Sequence, residues 1–248
     1  MELISGIAVI RELPAVYIRN SKTAIIADTH IGFEEEMAEK GIFIPRFQLR
    51  KVLDILEQVI DEVNPETLII AGDFKHKFDG LGRVERRELS EVLMFALRKI
   101  NKIIIVRGNH DNYLPLLRDK YQFDIVNELK LGEILIVHGH KPITEKGTDW
   151  KVVIFGHEHP SIAVRDSLGT VGKFPCFLMG ELKDGRKLIT LPAVGAYQTG
   201  SKVTTARDTY LSPILRDEAI IEKLKPIIVD EEIGLFELPT LSELMDLI

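Results

Sequence analysis

The chain has 248 residues, 45% hydrophobic and 28% charged, with a net charge of −6 from 32 basic and 38 acidic side chains. This is the composition of a globular chain that can bury a large core, and it lacks the overall basic footprint of a protein that lives by non-specific duplex binding. No aliphatic run reaches the roughly 20 residues of a membrane span, Met1-Glu-Leu-Ile-Ser-Gly lacks the basic start and long apolar stretch of a signal peptide, and the single Cys176 has no partner for an internal disulfide, so a buried thiol in the cytosol is expected.

In chain order, Ile7 to Ile18 holds two short apolar runs around Arg11-Glu-Leu-Pro14 and predicts an opening hairpin or edge strand. The run Thr23 to Ala27 predicts a buried strand that ends in the corner Asp28-Thr-His30. Gly32 to Lys40 predicts a short helix stopped by Gly41. Pro45 opens a longer helix, with Leu49, Val52, Leu53, Leu56, Val59, Ile60 and Val63 on one face at helical spacing. Thr67 to Ala71 is the next strand and leads into Gly72-Asp73 and His76. Val84 to Ile100 is the next helix, with Leu89, Val92, Leu93, Ala96 and Leu97 inward. Lys102 to Val106 then runs into Arg107-Gly108-Asn109-His110-Asp111.

After Tyr121 the pattern becomes strand-rich. Strands are predicted over Phe123–Val126, Ile134–Val137, Val152–Phe155, Ile162–Val164, Phe177–Met179, Leu188–Leu191 and Ile220–Val229, with turns at Lys130-Leu-Gly132 and Lys183-Asp-Gly-Arg186. Gly195 to Ser212 reads as a long loop beside a site, and Leu241 to Leu247 as a short closing helix. An α/β first half and a strand-rich second half predict one domain over residues 1–248, an α/β fold of two packed mixed sheets flanked by helices, a four-layer α-β-β-α sandwich.

All seven histidines fall in these corners, and none occurs after His159. Five aliphatic runs are each followed by a metal-ligand residue type: Asp28 and His30, Asp73 and His76, Asn109 with His110 and Asp111, His138 and His140, His157 and His159. In α/β sheets ligands gather at the carboxyl ends of strands, so five such ends can converge. A mixed nitrogen and oxygen set without thiolates suits Mn, Fe, Zn, Co or Ni and is a poor match to Ca. The set exceeds the needs of one tetrahedral site. It fits two ions about 3.5–4 Å apart that share a bridging carboxylate and hold a hydroxide as nucleophile. Asp73, on the strand between the others, is the candidate bridge. With Asn109 on a metal, His110 points elsewhere into the site, where an imidazole can contact a phosphate oxygen and protonate the leaving alkoxide.

Taken together, Asp28-X-His30, Gly72-Asp73, Gly108-Asn-His-Asp111, His138-Gly139 and Gly156-His-X-His159 resemble, in order, the motifs of the calcineurin-like metallophosphoesterase superfamily. The resemblance covers residues 28–159. It implies the four-layer sandwich and a two-metal phosphoester hydrolase, with Mn the favoured metal. One ion would take Asp28, His30, Asp73 and His159, and the other Asp73, Asn109, His138 and His157. His110 would be the acid or phosphate contact, and a homodimer is implied as well. Gly72-Asp-Phe-Lys-His76 is similar to the corner of the DNA-repair exonuclease branch. The whole chain, with Leu191-Pro-Ala193 and Ser212-Pro-Ile-Leu215, looks most like the archaeal and bacterial group of predicted ICC-like phosphoesterases.

The expected activity is therefore hydrolysis of phosphodiesters, with a nucleotide or nucleic acid among the candidate substrates. Three rivals are a nuclease on single-stranded or flapped ends, a small-molecule phosphomonoesterase, and a metal-bound scaffold that does no chemistry. His76 and Asp111 are candidates for a supporting or phosphate-contacting role, and His140 for a supporting or loop role. Arg107 has two readings, a bidentate phosphate contact or, preferred, a salt bridge to a helix. Lys75, Lys77, Arg83, Arg86 and Arg87 read as a solvated helix start interleaved with Glu85 and Glu88 rather than a backbone-binding patch. Glu34-Glu-Glu36 reads as a solvated helix face, and Trp150 and the phenylalanines read as core.

Overall fold

In the computed structural model, which describes residues 1–144, 147, 149–166 and 169–245, the chain opens with a three-stranded antiparallel meander, β1 (Glu2–Ile4), β2 (Ile7–Val9) and β3 (Val16–Ile18). The alternating half follows: β4 (Thr23–Ile26), α1 (Phe33–Glu39), α2 (Gln48–Val63), β5 (Thr67–Ile70), α3 (Arg83–Leu97), β6 (Lys102–Val106) and β7 (Asp124–Val126). These strands form one sheet in the order β1-β2-β3-β4-β5-β6-β7, parallel from β4 onward.

The second sheet is built from β8 (Leu129–Leu131), β9 (Ile134–Ile136), β10 (Val152–Phe155), β11 (Pro160–Asp166), β12 (Gly169–Glu181), β13 (Lys187–Thr190), β14 (Ser201–Lys202), β15 (Lys225–Asp230) and β16 (Gly234–Glu237). Its centre, β9-β10-β13, is parallel, and β12 runs antiparallel to β11, β13 and β15.

Strand period-two alternation explains how both sheets are covered. Ala24, Ile26, Leu68, Ile70, Ile103 and Ile105 face α2 and α3. The residues between them, Ile25, Ala27, Ile69, Ala71, Ile104 and Val106, face the second sheet and meet Ile136, Ile154, Phe177, Ile189 and Ile227. On the far side of the second sheet, Leu135, Val153, Phe155 and Leu188 pack under Trp150, Tyr210, Ile214 and Leu241. The fold is thus the expected α/β sandwich of two mixed sheets. Its outermost layer on the second sheet is thin, made of 3-10 turns, one π turn at Ile214–Glu218 and α4 (Leu241–Met245). The end of the predicted closing helix, from residue 246, lies outside the described residues.

Several expected boundaries move. The helix expected from Pro45 begins at Gln48, because the Glu34 carboxylate accepts the Phe47 and Gln48 N–H groups at 3.0 and 2.8 Å and so fixes where the free amides of the first turn lie. Lys130-Leu-Gly132 is not a turn: Leu129–Leu131 is β8, paired with β9, and the reversal falls at Gly132. The run Ile220–Val229 splits, since Ile221 and Leu224 pack in the outer layer through a 3-10 turn and the strand starts only at Lys225.

Candidate metal centre

Each of the five corners stands at the carboxyl end of a strand: Asp28 after β4, Asp73 after β5, Asn109 after β6, His138 after β9 and His157 after β10. The first two corners are laced together by main-chain bonds. Asp28 N donates to Gly72 O, His30 N to Asp73 O, Ile31 N to Phe74 O and His76 N to Ile31 O, at 2.8–3.0 Å. The corners bend sharply. Asp28, His30, Asp73, His157 and His159 all have φ between +43° and +67°. Non-glycine residues seldom adopt that region, at a cost of order 1–3 kcal/mol each. Eight non-glycine residues do so among the described residues, and five of them are predicted ligands.

Two motif glycines have a spacing role. A Cβ on Gly72 would lie 2.1 Å from His138 Nδ1, and one on Gly108 2.1 Å from Asp73 Oδ1. Each glycine therefore leaves room for a ligand that belongs to a different motif.

The side chains converge into two groups whose ligand atoms lie within 4.8 Å of one another, Asp28-His30-His159 and Asp73-His138-His157. Asp73 stands between them, its Oδ2 3.8 Å from His30 Nε2 and 3.3 Å from His138 Nε2. Asn109 Oδ1 is 3.2 Å from His138 Nε2, which brings it into the second group. His159 Nε2 is 3.3 Å from Asp28 Oδ1 and 3.4 Å from His30 Nε2. All seven predicted ligands are therefore at one place.

The donor set fits divalent cations. Asp28 is fully buried, and among the described residues its Oδ1 has no partner in hydrogen-bond geometry, although His159 Nε2 stands 3.3 Å away; the His30 and His159 Nε2 atoms face each other at 3.4 Å. Buried polar atoms left this way are costly unless a cation satisfies them. Burial lowers His30 to about 3 and His157 to about 4, so both are neutral imidazoles with lone pairs to give. Burial also opposes charge on His138, but Asp73 and Asp28 outweigh it and raise that ring to about 9. Burial opposes charge on Asp73 too, yet His138, His30 and His110 hold its carboxyl well below the usual range.

His110 is half-buried beside this set. Its N–H donates to Asp73 Oδ1 at 3.0 Å and its ring Nδ1 contacts His76 O, which leaves Nε2 free. Its ring stacks on His76, with centroids 5.3 Å apart and an interplanar angle of 16°. Asp111 is fully buried and accepts from Lys75 N and Gly108 N, a brace for the corner that carries Asn109. Burial and the nearby Asp73 raise it to about 6. His140 lies next to His138, ring centroids 5.2 Å apart, and its Nδ1 is buried without a partner.

Several expectations are corrected. Arg107 makes no salt bridge to a helix; it donates to Asn112 Oδ1 at 3.1 Å, and its side chain lines a cavity. Lys75 is buried under Tyr113, so it belongs to no surface patch. Glu85 and Glu88 are buried, and Glu85 accepts the His76, Lys77 and Gly82 N–H groups at 2.8–3.0 Å. The Glu34-Glu-Glu36 face is only partly solvated, with Glu34 buried and Glu35 and Glu36 half-buried. Glu34 caps α2, Glu35 accepts the Val84 and Glu85 N–H groups in the first turn of α3, and Glu36 reaches His76. Not all phenylalanines are core, since Phe78 is 55% exposed and edge-on to His110 at 5.6 Å.

Sequence reasoning missed Glu158. It is buried between His157 and His159, and its Oε2 accepts Ser212 N at 2.8 Å. The loop 195–212 is thus tied to the centre at both ends, since Gly195 N donates to Asp28 O at 3.1 Å. The signal available was only a carboxylate flanked by two histidines.

A sandwich of two mixed sheets with His/Asp clusters at one set of carboxyl strand ends defines a metal-dependent phosphoesterase. The family model described as calcineurin-like phosphoesterase matches residues 21–161, more than half of the chain, and the protein belongs to that family. Its structure is similar to that of the nuclease MPE of Pseudomonas putida, at 24% identity over 91% of this chain and 93% of that one, with a TM-score of 0.60. It is more distantly similar to Yfce, a phosphoesterase from E. coli, at 18% identity over 69% of this chain and 79% of that one, with a TM-score of 0.40. No curated protein matches the sequence. No helix among the described residues is long and apolar enough to cross a membrane.

Proposed function

We propose that the protein is a two-metal phosphodiesterase. The observation that carries this reading is the position of Asp73, whose one carboxylate faces ligands of both groups, His30 and His138. On this reading Asp28, His30, Asp73 and His159 hold one ion, and Asp73, Asn109, His138 and His157 the other. Manganese is the favoured metal, with Ni, Co, Fe and Zn suited by the same donors. Divalent ions bound there supply Lewis acidity and a water of lowered pKa.

The remaining work falls to the chain itself. Asp73 Oδ1 and the His76 carbonyl fix the His110 backbone and ring, which leaves Nε2 as the nitrogen to meet substrate. Protonated, that nitrogen contacts a phosphoryl oxygen and passes its proton to the leaving alkoxide. A diester needs space for a second substituent on phosphorus. Beside His138 and Asn109 lies a cavity of about 600 Å³, lined in part by Phe78, Arg107, Asn127, His140 and Lys141. Placement among the predicted ICC-like phosphoesterases is part of the same proposal.

Cleavage of single-stranded nucleic acid is a second reading, and Phe78 supports it. An exposed aromatic ring beside His110, with Arg107 and Lys141 in the same cavity, combines a stacking face with backbone-binding cations. The likeness to a nuclease is in fold alone.

The test compares bis(p-nitrophenyl) phosphate with p-nitrophenyl phosphate, using metal-stripped protein with and without Mn2+. Metal-dependent turnover with a preference for the diester is expected; preference for the monoester would overturn the diesterase reading. Oligonucleotide cleavage that falls steeply with salt would select the nuclease reading.

A further inference from the structure

His30 turns both of its ring nitrogens toward other histidines. Its Nε2 is turned toward Asp73 and His159, and its Nδ1 lies 3.2 Å from His76 Nδ1. The two rings meet edge-on, centroids 5.2 Å apart at 70°. The other nitrogen of His76, Nε2, lies 3.5 Å from Glu36 Oε2. One tautomer assignment fits all of these contacts. His30 carries its proton on Nδ1 and donates it to His76 Nδ1, and His76 carries its proton on Nε2, aimed at Glu36. His30 Nε2 is then left bare, with its lone pair toward the metal centre.

We infer that Glu36 and His76 form a carboxylate–imidazole chain that fixes the tautomer and orientation of His30 and so tightens one of the two metal positions. The inference rests on the two-metal reading above. A metal-ligating histidine ordinarily passes its second N–H to a carboxylate or carbonyl, and loss of that partner typically costs 10–100-fold in metal affinity. Here the carboxylate acts through an intervening imidazole.

The chain is held from several sides. Glu36 stands on α1, where its Oε1 also accepts from Lys40 Nζ at 2.6 Å. Phe33 packs edge-on against His76 at 4.8 Å, and the His76 N–H is taken up by Ile31 O and by Glu85 Oε1. His76 touches His110 through its backbone carbonyl as well as its ring, so a side-chain change leaves the carbonyl that holds His110 Nδ1 in place. Glu36 and His76 are positioning residues on this account.

A competing arrangement uses the same atoms. His30, His76 and His110 also lie within 4.8 Å of one another and could hold a third cation. If that cation took His30 Nδ1 while Nε2 held an ion of the centre, the ring would have to be an imidazolate. The carboxylate–imidazole chain needs only neutral rings.

The experiment is calorimetric titration of Mn2+ into metal-stripped protein, with Mn2+ EPR spectra of the loaded forms, for the wild type, His76→Ala, His76→Asn and Glu36→Gln. Wild type should bind two ions and show the exchange-coupled signal of a close pair. His76→Ala should weaken one of the two by about 10–100-fold and convert the spectrum at limiting Mn2+ to that of isolated ions. His76→Asn keeps an acceptor near the Nδ1 position and should restore most of the loss. Glu36→Gln should show a smaller loss at the same ion, and it carries the test if circular dichroism shows that His76→Ala fails to fold. Two ions bound with wild-type affinity in all variants would overturn the inference. Three ions in wild type and two in His76→Ala would replace it with a third cation site. Fewer than two ions in wild type would overturn the two-metal reading itself.

Discussion

His138 Nε2 lies 3.3 Å from Asp73 Oδ2, while the other nitrogen of the same ring, Nδ1, is 2.9 Å from Ala71 O. Without metal, a ring proton on each nitrogen satisfies both contacts. With metal, the backbone carbonyl keeps one proton and the other must leave.

The first prediction follows from that proton. His138 titrates at about 9, so below that pH the free protein carries it as imidazolium, and a cation can be ligated only after Nε2 gives up its proton. Between pH 7 and 8, binding at this residue should release about one proton, and the apparent affinity should fall about tenfold for each pH unit lowered, the release halving by about pH 9. His30 and His157, lowered to about 3 and 4, are already neutral there and add nothing, whereas His159, which Asp28 raises against the effect of burial, adds to the release. Mn2+ calorimetry in buffers of different ionisation enthalpy measures the release. No release at pH 7.5 would show that the free ring is neutral.

Asp73→Asn removes the one carboxylate that faces both groups. An amide has a single oxygen and cannot accept the His110 N–H while also facing His30 and His138. Turnover of bis(p-nitrophenyl) phosphate should drop about 10³-fold or more, equivalent to about 4 kcal/mol in the barrier, and metal analysis should find both ions depleted. Two tightly held ions in the variant would remove Asp73 from the bridge.

His110→Ala should keep its metals and lose turnover by about 10²–10⁴-fold. The loss should grow as the leaving alkoxide becomes more basic, because the missing proton matters most there. An equal loss across a leaving-group series would leave His110 as a phosphate contact without an acid role.

Glu34 and Glu35 have no place in the chemistry, yet each satisfies two amides at the start of a helix. Glu34→Ala should cost about 1–2 kcal/mol through loss of the α2 cap. In a chain of this size that lowers the midpoint by roughly 2–8 °C. Thermal denaturation followed by circular dichroism checks this, and an unchanged midpoint would mean water replaces the carboxylate at no cost.

The strand ends were legible in the sequence because each buried strand is a short aliphatic run bounded by a polar corner, as in Lys102 to Val106 before Gly108-Asn-His-Asp111. Residue type and strand order then bring seven ligand candidates together without knowledge of any distance. What stayed hidden depends on contacts across the chain. Glu34 and Glu35 look like a solvated triplet, and only tertiary packing puts them at helix starts 14 and 50 residues away. Lys75 reads as surface and is buried, its Nζ 5.8 Å from the centre of the Tyr113 ring. Glu158 resembles a spacer between two histidines, while its partner Ser212 lies 54 residues on. The thin outer layer on the second sheet carries no helical period to detect, because 3-10 and π turns are too short to show one.

Five predicted ligands sit in left-handed backbone, at about 1–3 kcal/mol each. Summed, that is comparable to the whole net stability of an ordinary domain, about 5–15 kcal/mol. The corners are therefore bent springs clamped by the sheets beneath them. A mutation that loosens Ile25, Ile69 or Ile104 in the layer between the sheets should let those springs relax before the strands separate. Damage deep in the scaffold would then appear first as leaked metal in a protein that still looks folded.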